Sequence, residues 1–413
     1  MNDNIDLCII GFGEVVRDRY SRGLSRPQNA DVFRVRWICD LFPESGVDFI
    51  SHIFPQAKYF QVPSSIKEAI SIITQEVPPE AVITIATPTN LHIPYALQLI
   101  SKFRLVAIEK PVTNSLQEYF ALESMCDHTG HSWFPLAYYL IEKALPYLVL
   151  MNREFRTRSY LDLLEPTVDS EKLFKLREDL GKPRKLVGCI LEGLGTSGSL
   201  DNRQWVLSPK GGGNTWETLF HLSCITAATL PYPLEKPIIS QSFKGIAKEV
   251  RKQIAVSSSN MLEDTAHLVH FDIGELSVSI FSAKYLSADS HQRWLRLECD
   301  GGEVKVDFSA AAMTVETENE NLHLQLIDTT PYMTQFSLLT KKIENTEMLI
   351  PLDIYREALK LNQRIYEFGK GQVIMQYKEG LNVEQLIHSI GGTRIKLFQP
   401  NSATLISRID CDR

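Results

Sequence analysis

Arg104–Thr113 reads RLVAIEKPVT. Leu105, Val106, Ala107 and Ile108 form an apolar run without polar alternation, the pattern of a central parallel strand covered on both faces. The run stops at Glu109-Lys110, and Pro111, which has no N–H to donate, ends the ladder. Ligands of open α/β sheets lie beyond the carboxyl ends of the strands, so Glu109 and Lys110 stand where a bound molecule would be met. A solvated Glu–Lys pair is the bland alternative, because these residue types are mostly exposed.

Working outward, strand-like and helix-like stretches alternate on the N-terminal side. Asp6–Ile10 (DLCII) is a compact apolar strand running into Gly11-Phe12-Gly13-Glu14-Val15-Val16. Two glycines with this spacing allow a tight turn and a close approach of a pyrophosphate, whose charge the next helix N-terminus stabilises. Val16 stands where Gly or Ala is usual for close helix–strand packing, and Glu14 adds a carboxylate beside the expected phosphates. A second strand, Val32–Cys39, ends in Asp40, placed to accept hydrogen bonds from a ribose 2′-OH. Leu41, Phe42 and Pro43 follow, with no Arg to hold a 2′-phosphate, which favours NAD over NADP. PSSIKEAISII then reads as helix, AVITIAT as strand, NLHIPYALQLI as helix and RLVAIEK as strand, the alternation of βα units on a parallel sheet. In the turn Ala86–His92, Asn90 can cap the helix, and Thr87 and Pro88 can touch a nicotinamide ribose. His92 reads as a packing residue. Leu116–Cys126 is a further helix and Ser132–Leu136 the last strand of this half.

The chain has 413 residues, more than one core usually supports, with 44% hydrophobic and 23% charged residues and a net charge of −7. These values fit a folded protein, and they argue against nucleic acid or an anionic membrane as the main partner. The acidic start MNDNIDL and the lack of an apolar run near membrane-spanning length give a cytoplasmic expectation. Seven cysteines, scattered and without a C-x-x-C pair, read as core thiols.

The second half changes character. Arg184–Leu191, Ala266–Ile273, Leu276–Phe281, Arg293–Cys299 and Val304–Phe308 are strand-like, several with alternating patterns, and Asp300-Gly301-Gly302 is a hairpin turn. An antiparallel sheet with one exposed face is expected, a broad surface suited to self-association. Within Trp205–Cys224, three glycines open an amphipathic helix on which Glu217 and His221, four apart, share a face. Metal binding is not expected: His128 and His131 fall in a loop, and His267 and His270 point to opposite faces of a strand.

Gly11-Phe12-Gly13, Thr87-Pro88-Thr89-Asn90 with His92, Glu109-Lys110-Pro111, and Gly211-Gly212-Gly213 followed by Glu217 and His221 together resemble the Gfo/Idh/MocA oxidoreductase family, from about residue 5 to about 370. The resemblance implies an α/β plus α+β fold: a Rossmann-type parallel sheet over 1–136 and a domain with a large open antiparallel sheet over 137–375 for substrate binding and dimerisation. Residues 376–413 lie beyond the resemblance and read as a C-terminal extension of that domain, an additional strand–turn–strand element (TRIKLF, ATLISRI). It implies hydride transfer between NAD(P) and a carbinol or ketone of a sugar, cyclitol or related polyhydroxylated molecule. Lys110 would stand near the reacting carbon, His221 would be the general acid/base and Glu217 its partner, where the family usually has Asp. Gly11, Phe12, Gly13, Glu14, Val15, Asp40, Thr87, Pro88, Asn90, Glu109 and Lys110 would hold the cofactor. Arg203, Trp205, Asn214, Trp216 and Tyr138 would meet the substrate.

A fainter likeness to glucose-6-phosphate dehydrogenase lies in Glu192–Gly198 and Ala137–Leu140, where Tyr138 replaces a histidine. The chemistry matches these parts: the cofactor carries only the hydride, so a histidine must take the hydroxyl proton while a lysine stabilises the developing oxyanion. A homodimer or homotetramer through the second sheet, and no bound metal, complete the expectation. A catalytically weakened nucleotide-binding sensor is the alternative reading, and a protein–protein scaffold the third.

Overall fold

A computed structural model describes residues 4–41, 52–136, 144–156, 161, 170–193, 204–208, 210–231, 233–248, 250, 263–325, 332–343, 352–370, 372 and 374–389. The chain forms two units: Met1–Lys143 with Asp328–Pro351, and Ala144–Ile327 with Leu352–Arg413. The linear division at 136 and 375 has no such returns in it. The expected strand–turn–strand element, TRIKLF and ATLISRI, falls outside the described residues.

The first unit is built on six strands: β1 (Ile5–Ile10), β2 (Phe33–Asp40), β3 (Lys58–Gln61), β4 (Val82–Ile85), β5 (Leu105–Glu109) and β6 (Trp133–Leu136). They lie in the order β3-β2-β1-β4-β5-β6 with every pair parallel. This is the doubly wound arrangement whose order reverses between β1 and β4. All residues of β4 and β5 are buried, as their unbroken apolar runs require. Serines open the two helices that need a side-chain cap. Ser65 Oγ accepts from Glu68 N–H ahead of Ile66–Glu76, and Ser115 Oγ from Glu118 N–H ahead of Leu116–Thr129. His128 lies in the last turn of that second helix, not in the expected loop.

The returning helix Met333–Ile343 packs onto the start of this unit. Tyr332 lies 4.9 Å from Tyr20 between ring centroids, and Phe336 lies 5.3 Å from Tyr20 and 5.7 Å from Phe33. Ser337 Oγ donates to Asn29 Oδ1 at 3.2 Å.

The second unit carries nine strands: β7 (Pro183–Gly193), β8 (Ile238–Ala247), β9 (Ala266–Ile273), β10 (Leu276–Leu286), β11 (Gln292–Cys299), β12 (Gly302–Asp307), β13 (Ala312–Thr317), β14 (Asn321–Gln325) and β15 (Met375–Tyr377), in the order β14-β13-β12-β11-β7-β10-β9-β8-β15. Most pairs are antiparallel; β10–β7 and β15–β8 are parallel, so the sheet is mixed. The expectation of one exposed face is corrected. β9 and β10 are buried almost throughout, because helices lie on one face and the C-terminal segment on the other. Tyr377, Val383, Leu386 and Ile387 join Cys189, Phe281, Ala283 and Trp294 in one apolar cluster.

Alternation survives only toward the other edge. There the same face carries a charged ladder, in which Arg296 bonds Glu303 at 2.7 Å and Lys305 reaches Glu303 and, at 3.2 Å, Glu316. The helix Phe220–Thr229 is likewise not amphipathic: every residue is buried, since Leu352–Phe368 packs on it opposite the sheet.

Candidate functional site

At the switch between β1 and β4 the chain turns at Gly11, whose φ is +96°. A Cβ there would lie 2.7 Å from Ala86 O and 2.8 Å from Ala86 C, so only glycine lets the two strand ends come this close. Gly13 and Glu14 lie exposed at the loop tip, and a Cβ on Gly13 would meet nothing within 4 Å. That open cradle lies ahead of the helical turns Val15–Tyr20 and Ser21–Leu24, where Val16 and Arg17 N–H both turn back to Gly13 O. A pyrophosphate fits it: free volume, close backbone and the positive end of a helix coincide. Val16, the departure from the usual small residue, is fully buried within a π-helical first turn.

Asp40 ends β2, and its Oδ2 accepts the Phe12 N–H at 2.5 Å, tying the loop to the strand where a ribose would be read. Tyr59, from β3, has its hydroxyl pushed up to about 12, first by burial and then by Asp40. Below the loop Cys8 and Cys39 are buried free thiols with Sγ atoms 3.6 Å apart. The other described cysteines, 126, 189, 224 and 299, are free as well.

Glu109 and Lys110 close β5, and the Lys110–Pro111 peptide is cis. The solvated-pair reading fails for Glu109, which is 5% exposed. Its Oε1 accepts from Tyr20 OH at 2.8 Å and its Oε2 from Lys110 N–H at 3.0 Å. Burial pushes its carboxyl up, against the pull of Lys110, Tyr20 and Tyr332. Glu109 thus anchors the Lys110 backbone, and Lys110 itself is half-buried.

Thr87, Pro88 and Asn90 are partly exposed above β4. The cap differs from expectation: Pro88 occupies the position before the helix Thr89–Leu99, with Asn90 already inside it. The reason is that the fixed extended geometry of Pro88 sets the entry, and its carbonyl takes the Leu91 N–H. His92 is buried and joins the β4 and β5 loops, with Nε2 2.7 Å from Thr87 O and Nδ1 2.9 Å from Pro111 O. Burial holds it mostly neutral, its pKa lowered to about 4 despite those carbonyls. Within this unit the structure therefore gathers Gly11, Phe12, Gly13, Asp40, Thr87 and Lys110 at the carboxyl ends of β1, β2, β4 and β5.

In the second unit Gly211-Gly212-Gly213 serves internal packing. A Cβ on Gly212 (φ +74°) would lie 2.3 Å from Trp216, and one on Gly213 (φ +66°) 2.6 Å from Asp264. Asn214 is buried and its amide donates to Ser282 O at 3.0 Å and Ser282 Oγ at 2.6 Å. Trp216 is 1% exposed, between Phe220 and Tyr366. Trp205 is partly exposed, while Arg203 and Tyr138 lie outside the described residues.

Glu217 sits in a π-helical stretch, Thr215–Leu219, that continues into the helix bearing His221. Its Oε2 pairs with Lys284 Nζ at 3.1 Å; the same Nζ is 3.1 Å from Glu192, which in turn pairs with Arg293 at 2.8 Å. Sequence reasoning missed Lys284 and Arg293. The signal was a single charged residue, Lys284, in the run SVSIFSAKYL. Among the described residues no cluster suits a metal ion, and no helix is long and apolar enough to cross a membrane.

Comparison decides the first unit. Residues 5–135 match the profile of the Gfo/Idh/MocA oxidoreductase family, NAD-binding Rossmann fold. This region has that family's NAD-binding Rossmann fold. No curated protein matches the chain by sequence. Solved structures resemble nearly all of it. A UDP-N-acetylglucosamine 3-dehydrogenase from Acidithiobacillus ferrooxidans is 13% identical over 88% of this chain and 97% of its own, with TM-score 0.60. A putative myo-inositol dehydrogenase from Sinorhizobium meliloti is 12% identical over 89% and 98%, with TM-score 0.61. Biliverdin reductase from Synechocystis, solved with biliverdin and NADP⁺, is 11% identical over 88% and 98%, with TM-score 0.62. At such identities the likeness shows a shared fold.

Proposed function

We propose that the protein is a nicotinamide-dependent oxidoreductase that transfers a hydride between the cofactor and a carbinol or ketone of a sugar, cyclitol or related polyhydroxylated molecule. The observation that carries this reading is the open cradle at Gly13, set at the reversal of strand order and closed on one side by the Asp40–Phe12 bond. The nicotinamide group, when bound, gives or takes the hydride and leaves a proton for the protein to handle. Lys110, its backbone fixed by Glu109, supplies a positive charge to the developing oxyanion. His221, 8% exposed, takes or returns the hydroxyl proton, with Glu217 orienting it.

Asp40 would repel a 2′-phosphate, so NAD is proposed as the preferred cofactor, although a biliverdin reductase and a 3-ketoreductase of the same fold were both solved with NADP. Two of the similar structures are named for activity on UDP-N-acetylglucosamine and, in prospect, on myo-inositol, which favours a ring bearing several hydroxyls. Trp205, Arg203 and Tyr138 are proposed as its contacts; Asn214 and Trp216, buried against Ser282 and between Phe220 and Tyr366, are not proposed for that role. Any homodimer or homotetramer through the second sheet would use the charged β11–β13 face, since the apolar part is covered by the chain itself.

Following absorbance at 340 nm with NAD⁺ or NADH against a panel of sugars, sugar nucleotides, cyclitols and their keto forms tests the activity. Cofactor binding without turnover on any member would replace this reading by that of a sensor.

A further inference from the structure

Lys284 is 7% exposed, an unusual position for a lysine, and lies between two carboxylates with N–O distances of 3.1 Å each. Burying three or four charges is costly unless each is well placed, so the geometry around Lys284 is tightly specified. Its backbone is fixed from both sides: its N–H donates to Thr265 O at 3.0 Å, and its carbonyl accepts from Tyr377 OH at 2.7 Å. Tyr285, the next residue, has φ +61°, a strained value for a side chain of that size, and its carbonyl accepts from Gly380 N–H at 2.9 Å. At this point the pairing of β10 with β7 shifts register, between Ala283 and Leu286. Lys284 lies on the same face of β10 as Ser282, whose Oγ accepts from the Asn214 amide, so strand alternation turns the one charged side chain of β10 toward Glu217.

We propose that Lys284 is the positioning residue of Glu217. It holds that carboxylate, with Glu192 and Arg293 as its counterweight, and through Glu217 it sets the proton affinity of His221. Glu217 and His221 are four residues apart on one continuous helical run, where such side chains are neighbours. The proposal rests on the hydride-transfer reading for the role of His221, and on the salt-bridge geometry for the rest. Other charged groups on elements packed against the His221 helix are Arg184 and Lys185 of β7 and, on Leu352–Phe368, Asp353, Arg356, Glu357, Lys360, Arg364 and Glu367. Several are already paired: Arg184 with Asp300 and Glu275, Arg356 with Asp353, and Lys360 with Glu357.

The test is an NMR titration of the full chain labelled at histidine ¹³Cε1, with the His221 signal assigned by its loss in His221→Asn. Lys284→Met leaves Glu217 and Glu192 without their shared cation, and should raise the His221 midpoint by about one pH unit, roughly ten-fold in proton affinity. Lys284→Arg should restore it. Glu192→Gln, which leaves Lys284 wholly to Glu217, should shift it the opposite way and serves where Lys284→Met does not fold by circular dichroism. In a Glu217→Gln background Lys284→Met should have little further effect. A folded Lys284→Met protein with an unchanged midpoint, or a shift that persists without the Glu217 carboxylate, would overturn the proposal. Failure of the hydride-transfer reading appears separately, as absent turnover with the titration coupling intact.

Discussion

Gly11 and Gly13, two positions apart, should fail in opposite ways when given a side chain. At Gly11, alanine would carry a Cβ to 2.7 Å from the Ala86 carbonyl oxygen, a backbone atom that cannot swing aside, and would hold φ +96° with a side chain attached. The left-handed conformation costs about 1–2 kcal/mol and the overpacking about 1–3 kcal/mol, so Gly11→Ala should lose about 2–5 kcal/mol of stability. For a unit of this size, each kcal/mol lowers Tm by about 2–4 °C.

At Gly13 an added Cβ meets nothing, so Gly13→Val should keep the fold and, by restricting the unfolded chain, stay within about 1 kcal/mol of the parent. Its methyl groups occupy the cradle instead. Excluding the pyrophosphate and its N–H contacts should weaken NADH by about 3–4 kcal/mol, 10²- to 10³-fold in Kd. Calorimetric titration with NADH and urea unfolding on the same two variants give both readouts. A Gly13→Val protein that binds NADH normally would move the phosphate site elsewhere; a Gly11→Ala protein of parental stability would refute the close-approach argument.

NADH should bind more tightly than NADPH, and Asp40→Ser should narrow the gap; a parent that prefers NADPH by titration would refute the role of Asp40. On a reacting substrate, Lys110→Ala and His221→Ala should each lower kcat about 10²- to 10⁴-fold with NAD affinity retained, and Glu217→Asp should keep activity; steady-state kinetics with near-normal turnover in His221→Ala would remove that residue from the mechanism. His92 and His270 are both held by burial near a pKa of about 4, against 6.5 unfolded. Their depressed values mean that stability is full above about pH 6.5 and falls as pH drops toward about 4, by up to about 3 kcal/mol each. Asp264, raised to about 6 by burial, returns part of the loss below about pH 6. A urea midpoint that stays flat from pH 7 to 4 would contradict this. Leu386→Ala, deleting a fully buried side chain from the C-terminal cover of the sheet, should cost about 2–5 kcal/mol by denaturant unfolding; a cost under about 1 kcal/mol would show that the cover is loosely packed.

The first unit was legible because parallel strands buried on both faces leave unbroken apolar runs, and because Gly11 and Asp40 mark strand ends in ways few other residue types could. β3 escaped notice: Lys58–Gln61 is a half-exposed edge strand with no apolar face to read. Tyr332 and Phe336 could not be placed from sequence, since nothing local says that a helix so far along the chain returns to Tyr20. In the second unit the alternation of β11 and β12 was readable, whereas β13 and the cover over β7, β9 and β10 were not. Residues such as Phe281 and Cys189 look the same whether their face awaits a second chain or is filled by Leu386 and Ile387. Glu217 and His221 were visible as a spaced pair, but Lys284 meets Glu217 from a distant strand, a tertiary contact that no local residue pattern announces.

The return of Met333–Ile343 has a consequence for synthesis. Tyr20, the hydrogen-bond donor to Glu109, stays without its aromatic cover until residues beyond 330 have left the ribosome. From Leu136 to Ile343 is 207 residues, and at about 5–20 residues per second this adds about 10–40 s during which the six-stranded sheet is complete in strands but bare where Phe33 and Tyr20 await Phe336. A nascent chain stalled at residue 150 should therefore be more protease-sensitive around Tyr20 than one stalled past 351, and it offers chaperones an aromatic patch that the finished protein does not expose.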